Sequence, residues 1–216
     1  MFELILFAAI GCLVYVLFVR LKDKSRDETE LWVESELKKR LPDNNYIVFG
    51  NLIIPSVSKE IRSTQLDHVI ISTYGIFCLE TKSHRGNIYG HYKRKYWKQY
   101  LGYKTYDLYN PLRQNSHHVR SLEYLLRSRL KSPIHSYIVF PSANSVKLGG
   151  QKIDLTLTHT IERILKHRRL IYDQNDIEAI SKGLAYVSSR STSLSKVHVS
   201  EVNEYIEKYS KPNNVE

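Results

Sequence analysis

The sequence predicts an α/β domain that follows an apolar N-terminal segment. Two runs rich in β-branched and other apolar residues flank a tight turn at Ser72 to Gly75, which is typical of a β-hairpin. Asn110 and Pro111 precede leucines at helical spacing, a pattern typical of a capped amphipathic helix. The chain has 216 residues, which are enough for one domain of ordinary size and an appendage.

The composition narrows the class of protein. A net charge of +10 indicates an anionic partner, either nucleic acid or a membrane surface, and an inert basic surface is the alternative. The sequence has only two cysteines, Cys12 and Cys78, far apart and both in apolar runs, so it contains no disulfide framework and no Cys-x-x-Cys zinc pattern. These features exclude a disulfide-rich secreted domain and fit a reducing compartment.

The first residues predict a membrane anchor. Residues 2–19 are apolar apart from Glu3, and a helix of this length spans about 27 Å, close to the thickness of a hydrocarbon core. The basic residues that follow at once, in the segment 20–26, are Arg20, Lys22, Lys24 and Arg26. No basic side chain precedes the run, so the positive-inside rule places the following domain in the cytoplasm. The alternative, a cleaved signal peptide, would need a basic start and a small-residue cleavage site, and both are missing.

The remaining helices and strands are predicted from the spacing of apolar residues and from capping and turn residues. Ser25 and Glu28 form a capping-box pattern at the start of a helix over 25–41, whose apolar stripe contains Val33 and Leu37. Glu30 lies on the same stripe and either leans towards the sheet or stays at the surface. Further strands are expected at 46–54, 88–91, 134–140 and 152–157, and further helices at 160–167, 175–188 and 198–208. We expect residues 141–210 to pack on the same domain and 211–216 to form a disordered tail.

The hairpin carries the candidate chemistry. A two-residue loop pairs Ser72 with Gly75 and thereby sets Asp67 opposite Glu80, with Cβ atoms about 4.5–5.5 Å apart. Two carboxylates at that distance repel, and a hard divalent cation such as Mg²⁺ or Mn²⁺ relieves the repulsion. Lys82 follows on the same face and could reach a water or a phosphate, which outlines metal-assisted phosphodiester hydrolysis. The alternative is a half-exposed hairpin with a solvated Glu80–Lys82 pair. A three-residue loop without a bulge would turn Asp67 to the wrong face.

A second segment, residues 92–100, interleaves basic and aromatic side chains. Such a segment can hold a phosphate backbone and stack on bases, or it can be an exposed hairpin with solvated lysines. The residues that we assign to nucleic-acid binding are Lys93, Arg94, Lys95, Trp97 and Lys98. The adjacent His117 and His118 point in different directions on a helix, so we do not expect them to form a metal pair.

Six motifs resemble, in order, those of the NERD (nuclease-related) domain family. They are Glu30-x-x-Val33-x-x-x-Leu37, Gln65-Leu66-Asp67-His68, Tyr74-Gly75-Ile76-Phe77, Glu80-Thr81-Lys82, Gly86-Asn87-Ile88-Tyr89-Gly90 with Trp97, and Asn110-Pro111-Leu112-Arg113-Gln114-Asn115. The resemblance covers roughly residues 27–140. It implies a restriction-endonuclease-like fold of the PD-(D/E)xK type, with a mixed β-sheet flanked by helices around a metal site.

The resemblance also implies roles for particular residues. Asp67 and Glu80 resemble the acids that bind the metal, Mg²⁺ or Mn²⁺, and Lys82 resembles the catalytic lysine. The carbonyl of Thr81 is the expected third ligand. The residues expected to have accessory roles are Glu30, Gln65 and Gln114.

Two functions follow as hypotheses. The first is a single-pass protein of the cell membrane whose cytoplasmic domain hydrolyses phosphodiester bonds of DNA with a divalent metal. The second is a catalytically weak or inactive module that binds nucleic acid or protein at the membrane, and it is favoured by the membrane tether. A weaker third is a basic scaffold that addresses anionic lipid.

Overall fold

The computed structural model describes residues 28–42, 44–58 and 62–189. In these residues the chain forms four helices and nine strands. The elements in chain order are α1 (28–40), β1 (Tyr46–Pro55), β2 (Ser63–Ser72), β3 (Gly75–Thr81), β4 (Gly86–Gly90), β5 (Tyr96–Leu101), β6 (Lys104–Tyr109), α2 (Pro111–Leu126), β7 (His135–Val139), β8 (Ala143–Leu148), β9 (Gln151–Ile153), α3 (Leu157–Leu165) and α4 (Gln174–Ser189).

The strands form two mixed sheets rather than the one that the sequence predicted. The first sheet has the order β1-β2-β3-β7 and the second the order β6-β5-β4-β8-β9. Within them β3 pairs with β7 and β4 with β8 in parallel, and the other pairs are antiparallel. The two parallel strands of the first sheet, β3 and β7, are followed along the chain by β4 and β8, which are parallel neighbours in the second sheet. The chain is therefore a mixed α/β protein with two sheets and flanking helices.

Helices cover both faces of the first sheet. One face packs against α2 and α4, in a cluster of buried residues that includes Val69, Ile71, Ile76, Leu122 and Leu184. The other face packs against α1 and α3, in a cluster that includes Val33, Leu37, Phe77, Leu79 and Ile161. Burying each such side chain contributes about 2 kcal/mol, which makes this sheet the rigid centre on which the site is built.

Helix α2 is attached to the sheets by two asparagines. Asn110 is the N-cap, as predicted: its side-chain oxygen accepts from the Leu112 N–H at 2.9 Å, while its amide donates to the Arg94 carbonyl at 2.7 Å. Asn115 donates to the carbonyls of Cys78 and Tyr137, at 3.0 Å each. These carbonyls belong to the parallel neighbours β3 and β7, so α2 has a fixed position over both strands.

The elements after Phe140 differ in part from expectation. Strand β8 was not predicted, and the strand expected at 152–157 ends at Ile153. It ends there because Asp154 accepts from the Thr156 N–H at 2.9 Å, and Thr156 is itself the N-cap of α3. Helix α3 therefore begins three residues earlier than the expected start at 160.

Several predicted segments lie outside the described residues. They are the anchor 2–19, the basic segment 20–26, the first turn of the helix expected over 25–41, the helix 198–208 and the tail 211–216. Among the helices that the structure does describe, none has the length and hydrophobicity needed to cross a membrane.

Candidate active site

The turn between β2 and β3 sets the geometry of the acid pair. Ser72 pairs with Gly75, and the same register continues to His68 opposite Leu79. Continued by one residue, this register sets Asp67 opposite Glu80. The Ser72 hydroxyl stabilises the turn, because it accepts from the Tyr74 N–H and donates to the Gly75 carbonyl, both at 3.1 Å. The predicted two-residue loop is confirmed, and so is its pairing register from Ser72 to His68.

The acids and the lysine are buried together under α2. Asp67 is 2% exposed, Glu80 is fully buried and Lys82 is 8% exposed. The Thr81 N–H donates to Asp67 Oδ2 at 2.7 Å. Lys82 Nζ lies 2.6 Å from Glu80 Oε1 and donates to Gln114 Oε1 at 2.9 Å. The structure thus brings Gln114, an expected accessory residue, into contact with Lys82.

His118 is a site residue that the sequence analysis missed. Its Nδ1 lies 3.2 Å from Glu80 Oε2, and the ring is buried. His117 points elsewhere, with Nε2 3.1 Å from the Ser56 hydroxyl, so the two histidines do diverge as predicted. The available signal was the spacing: His118 follows Gln114 by four residues and therefore shares its helix face.

The two carboxyls titrate differently. Burial, with the charge of Glu80, raises the pKa of Asp67 to about 7, although the Thr81 N–H and Lys82 act in the opposite direction. Burial also raises the pKa of Glu80, but the contacts with His118 and Lys82 outweigh it and leave that pKa below its ordinary value. Near neutral pH the site therefore holds one ionised acid and one that exchanges its proton readily.

The donor atoms fit a hard divalent cation. Glu80 Oε1 has Lys82 Nζ as its neighbour at 2.6 Å, and Glu80 Oε2 has His118 Nδ1 at 3.2 Å. A second buried carboxyl, that of Asp67, lies on the adjacent strand. Two buried acids in one place favour a bound cation, and carboxylates suit Mg²⁺ or Mn²⁺. Across the described ranges, no group of three or more His, Cys, Asp or Glu side chains is placed to hold a metal. The protein donors at this site are thus the two acids, with backbone carbonyls and waters needed to complete the ligands.

The other predicted site residues, Glu30, Thr81 and Gln65, differ in burial and in their contacts near Asp67 and Glu80. Glu30 is buried in the first turn of α1, where its backbone carbonyl lies 3.1 Å from His68 Nε2, and its charge adds to the rise in the pKa of Asp67. Thr81 is buried between the strands, and its side chain lies 3.4 Å from His68 Nδ1. Gln65 is exposed, two residues before Asp67 on β2. Glu30 therefore influences Asp67 electrostatically, whereas Gln65 lies at the surface.

A cleft of about 910 Å³ borders the site along the first turns of α2. Its lining includes Gln114 and His118, which contact Lys82 and Glu80. The basic and aromatic side chains of the lining are Tyr92, Tyr109, Arg113, His117 and Arg120. The acids therefore lie beside a cleft whose charged side chains suit a polyanion.

The basic and aromatic segment has a different arrangement from the one expected. Trp97 is only 1% exposed, stacks against Phe140 with centroids 6.3 Å apart, and donates from Nε1 to the His91 carbonyl at 3.2 Å. Its ring is part of the core, so it is not available to stack on a base. Lys98 pairs with Asp107 at 2.7 Å at the surface. Lys93, Arg94 and Lys95 are exposed, as a role in binding phosphates requires.

The raised pKa of Asp67 leads to a prediction about stability without metal. In the unfolded chain this carboxyl loses its proton near 3.8, but in the folded chain it does so at about 7. Between these values the native state binds more protons, so the free energy of unfolding should fall by about 1 kcal/mol per pH unit as the pH rises. The stabilisation is complete below the lower value and is lost above the upper one.

Chemical denaturation of the full chain in the presence of a chelator measures this effect. Asp67→Asn keeps an acceptor for the Thr81 N–H and cannot ionise. Its free energy of unfolding, relative to that of the wild type, should therefore increase as the pH rises from 3.8 to about 7. Asp107→Asn, at an exposed acid, is the matched control and should give a flat difference. A difference in free energy of unfolding between the wild type and Asp67→Asn that stays constant with pH would contradict the prediction.

Comparison with known proteins places the chain in a family. The model of the nuclease-related domain matches residues 25–141, which include α1, the acid pair, Lys82 and α2. An uncharacterised protein of Bacillus anthracis is 31% identical over 146 residues, which are 68% of this chain and 66% of that protein. The chain thus spans just under two thirds of the relative's length. No solved structure matches the chain. The match over more than half of its length confirms the resemblance read from the motifs: the chain belongs to the nuclease-related domain family.

Proposed function

We propose that the chain hydrolyses phosphodiester bonds of nucleic acid, with DNA as the expected substrate, and that it requires a divalent metal. The observation that carries the proposal is the buried pair of Asp67 and Glu80 on neighbouring strands, with Lys82 beside them. A cation between such acids can also bind a phosphate that enters from the basic cleft. Membership of the nuclease-related family supports the same class of reaction.

Each site residue has a role in this proposal. Asp67, Glu80 and the Thr81 carbonyl would hold Mg²⁺ or Mn²⁺. When bound, the cation supplies a Lewis acid for the phosphate and makes water more acidic. Lys82 would orient the attacking water or stabilise the negative charge that builds up on the phosphate. Gln114 accepts a hydrogen bond from Lys82 and so directs the ammonium.

His118 and the cleft would support the same chemistry indirectly. The His118 ring lies against Glu80 and helps to keep that carboxyl ionised, and therefore able to bind a cation, at neutral pH. Arg113 and Arg120 line the cleft and would bind phosphates on either side of the reacting one.

A binding module that hydrolyses little or nothing is the second candidate. The observation in its favour is the contact between Lys82 and Glu80, 2.6 Å apart, which neutralises this acid without any metal. In that case the cleft would bind nucleic acid or protein, and the buried ion pair would serve structure alone.

We also propose that residues 2–19 anchor the chain in the cell membrane, with the nuclease-related domain in the cytoplasm. The apolar run and the basic residues at 20–26 support this orientation. Protease added to intact cells should leave the C-terminus uncut, and permeabilised cells should lose it. Cleavage of the C-terminus in intact cells would contradict the orientation, and release of the chain by carbonate washing would contradict the anchor.

Metal binding should stabilise the full chain through the acid pair. Mg²⁺ or Mn²⁺ binds only the native arrangement of Asp67 and Glu80, so either ion should raise the melting temperature. Asp67→Asn should abolish the shift and should be at least as stable as the wild type without metal, because repulsion between the acids is relieved. The measurement is thermal unfolding in detergent with increasing metal.

The control is Asp107→Asn, which removes an exposed acid that is ion-paired on the second sheet. This variant should keep the full metal response. An equal response in the wild type and in Asp67→Asn would rule out the proposed metal site.

Lys82 separates hydrolysis from binding. Lys82→Ala should lower a metal-dependent cleavage rate by about 10²-fold or more, the loss typical of one preorganised donor. It should retain metal-induced stabilisation, because an ammonium cannot ligate a metal and here competes for Glu80. Lys82→Arg should restore the rate only in part, because a guanidinium has a different shape and reach.

Cleavage of labelled DNA by the full chain, beside Glu80→Ala, measures this rate. Lys131→Ala is the matched control, since Lys131 is also ion-paired with a buried acid but lies between α2 and β7 and pairs with Asp176 of α4. Full activity in Lys82→Ala would show that a contaminating nuclease is being measured or that the assigned site is wrong. If the wild type cleaves no DNA, the second candidate function, a binding module without hydrolysis, would be supported.

A further inference from the structure

We propose that the outer face of the second sheet binds single-stranded nucleic acid and leads it into the cleft. We call this surface the tyrosine face and define it by Tyr89, Tyr96, Tyr100 and Tyr109, with Lys98 and Lys147 between and beside the rings. The inference rests on the proposed function for the class of ligand, and it names that ligand as a single strand rather than a duplex.

The strand register places these side chains on one surface. Tyr96 pairs with Tyr109, and Lys98 pairs with both Tyr89 and Asp107. Side chains alternate between the faces of a sheet, and the intervening Trp97 is buried in the core. The residues on either side of Trp97, with their partners on β4 and β6, therefore point outward.

The four rings are partly exposed to solvent. The exposed fractions are 42% for Tyr89, 48% for Tyr96, 43% for Tyr100 and 43% for Tyr109. Tyr89 packs edge-to-face on Tyr100 with centroids 5.1 Å apart, and Tyr96 on Tyr109 with centroids 6.0 Å apart. Mutual packing holds each pair in place without covering it, so the surface is preorganised to stack on planar ligands.

The charge of the surface complements a phosphate backbone. Lys147 Nζ lies 5.3 Å from the centre of the Tyr89 ring, and Lys95 Nζ lies 5.5 Å from that of Tyr96. Lys98 lies between the two ring pairs and is ion-paired with Asp107 at 2.7 Å, so the net positive charge of the face comes from Lys147 and Lys95. Aromatic rings that alternate with cations are the arrangement by which proteins bind single strands, because bases stack on the rings while cations contact phosphates.

The tyrosine face is continuous with the cleft beside the acids. Tyr109 belongs to the tyrosine face and also lines the cleft, together with Gln114 and His118. Tyr96 and Tyr100 are four residues apart on β5, which corresponds to about 13 Å along the strand. A single strand that crosses both ring pairs would therefore pass Tyr109 on its way to Glu80 and Lys82. Bases in a duplex are already stacked on one another and cannot offer their faces to these rings.

Binding measurements without metal test the inference separately from hydrolysis. Fluorescence anisotropy of labelled oligothymidylate, with the full chain in detergent and chelator, should show tighter binding than a duplex of equal length at the same salt concentration. Tyr96→Ala and Tyr100→Ala should each weaken single-strand binding by about 5- to 100-fold, as expected for one stacked base. The Phe variants at both positions should bind as the wild type does, because the ring is kept.

Tyr124→Ala is the matched control. Tyr124 lies on α2, is 42% exposed and also has a cation over its ring, Arg127 at 5.3 Å. Its loss should leave affinity unchanged. An equal effect of Tyr96→Ala and Tyr124→Ala, or a stronger preference for duplex, would overturn the inference. So would a change in oligomeric state by sedimentation without a change in affinity, since the face would then be an interface between copies.

The outcomes for the tyrosine face and for hydrolysis are distinguishable. If the wild type cleaves nothing but ring-dependent binding of single strands is observed, the tyrosine face stands and the proposed hydrolysis fails. If cleavage is observed and binding does not depend on the rings, the hydrolysis stands and the inference about the tyrosine face fails.

Discussion

The repulsion between two buried carboxylates is the constraint on which the site depends. Asp67 and Glu80 lie on adjacent strands, and both are buried away from water. The protein answers this repulsion in two ways: Asp67 retains a proton up to about neutral pH, and Glu80 has two nitrogen-bearing neighbours. The unfavourable energy of this site is electrostatic, and a bound cation would lower it directly.

Helix α2 supplies most of what surrounds the acids, and it does so through polar residues. Asn110, Asn115 and His118 are all buried. Asn115 and His118 contact β3 and, for Asn115, also β7, whereas Asn110 at the N-cap donates to carbonyls of the segment before β5. A helix held by hydrogen bonds to particular carbonyls has one allowed rotation and one allowed height, whereas a purely apolar contact tolerates sliding. This precision places Gln114 against Lys82 and places the basic cleft beside the acids.

Some of this arrangement could be predicted from the sequence and some could not. The register of the hairpin was predictable because turn length alone decides which residues oppose each other, and the cap at Asn110 was predictable from local chemistry. The second sheet was not, because its parallel pairing of β4 with β8 joins segments far apart in the chain. For the same reason the burial of Trp97 against Phe140 could not be predicted from the sequence. His118 was missed because the spacing of apolar residues does not indicate which polar residues of a helix are buried.

The turn at Thr73 and Tyr74 has a consequence for how sequences of this family can vary in length. Surface loops usually gain and lose residues freely, but this turn is covered: the Thr73 carbonyl accepts from the N–H groups of Ile171 and Tyr172, at 2.8 and 3.1 Å. One inserted residue would both break this cover and shift the pairing that sets Asp67 against Glu80. Relatives that keep both acids should therefore have a loop of the same length here, even where their other loops diverge.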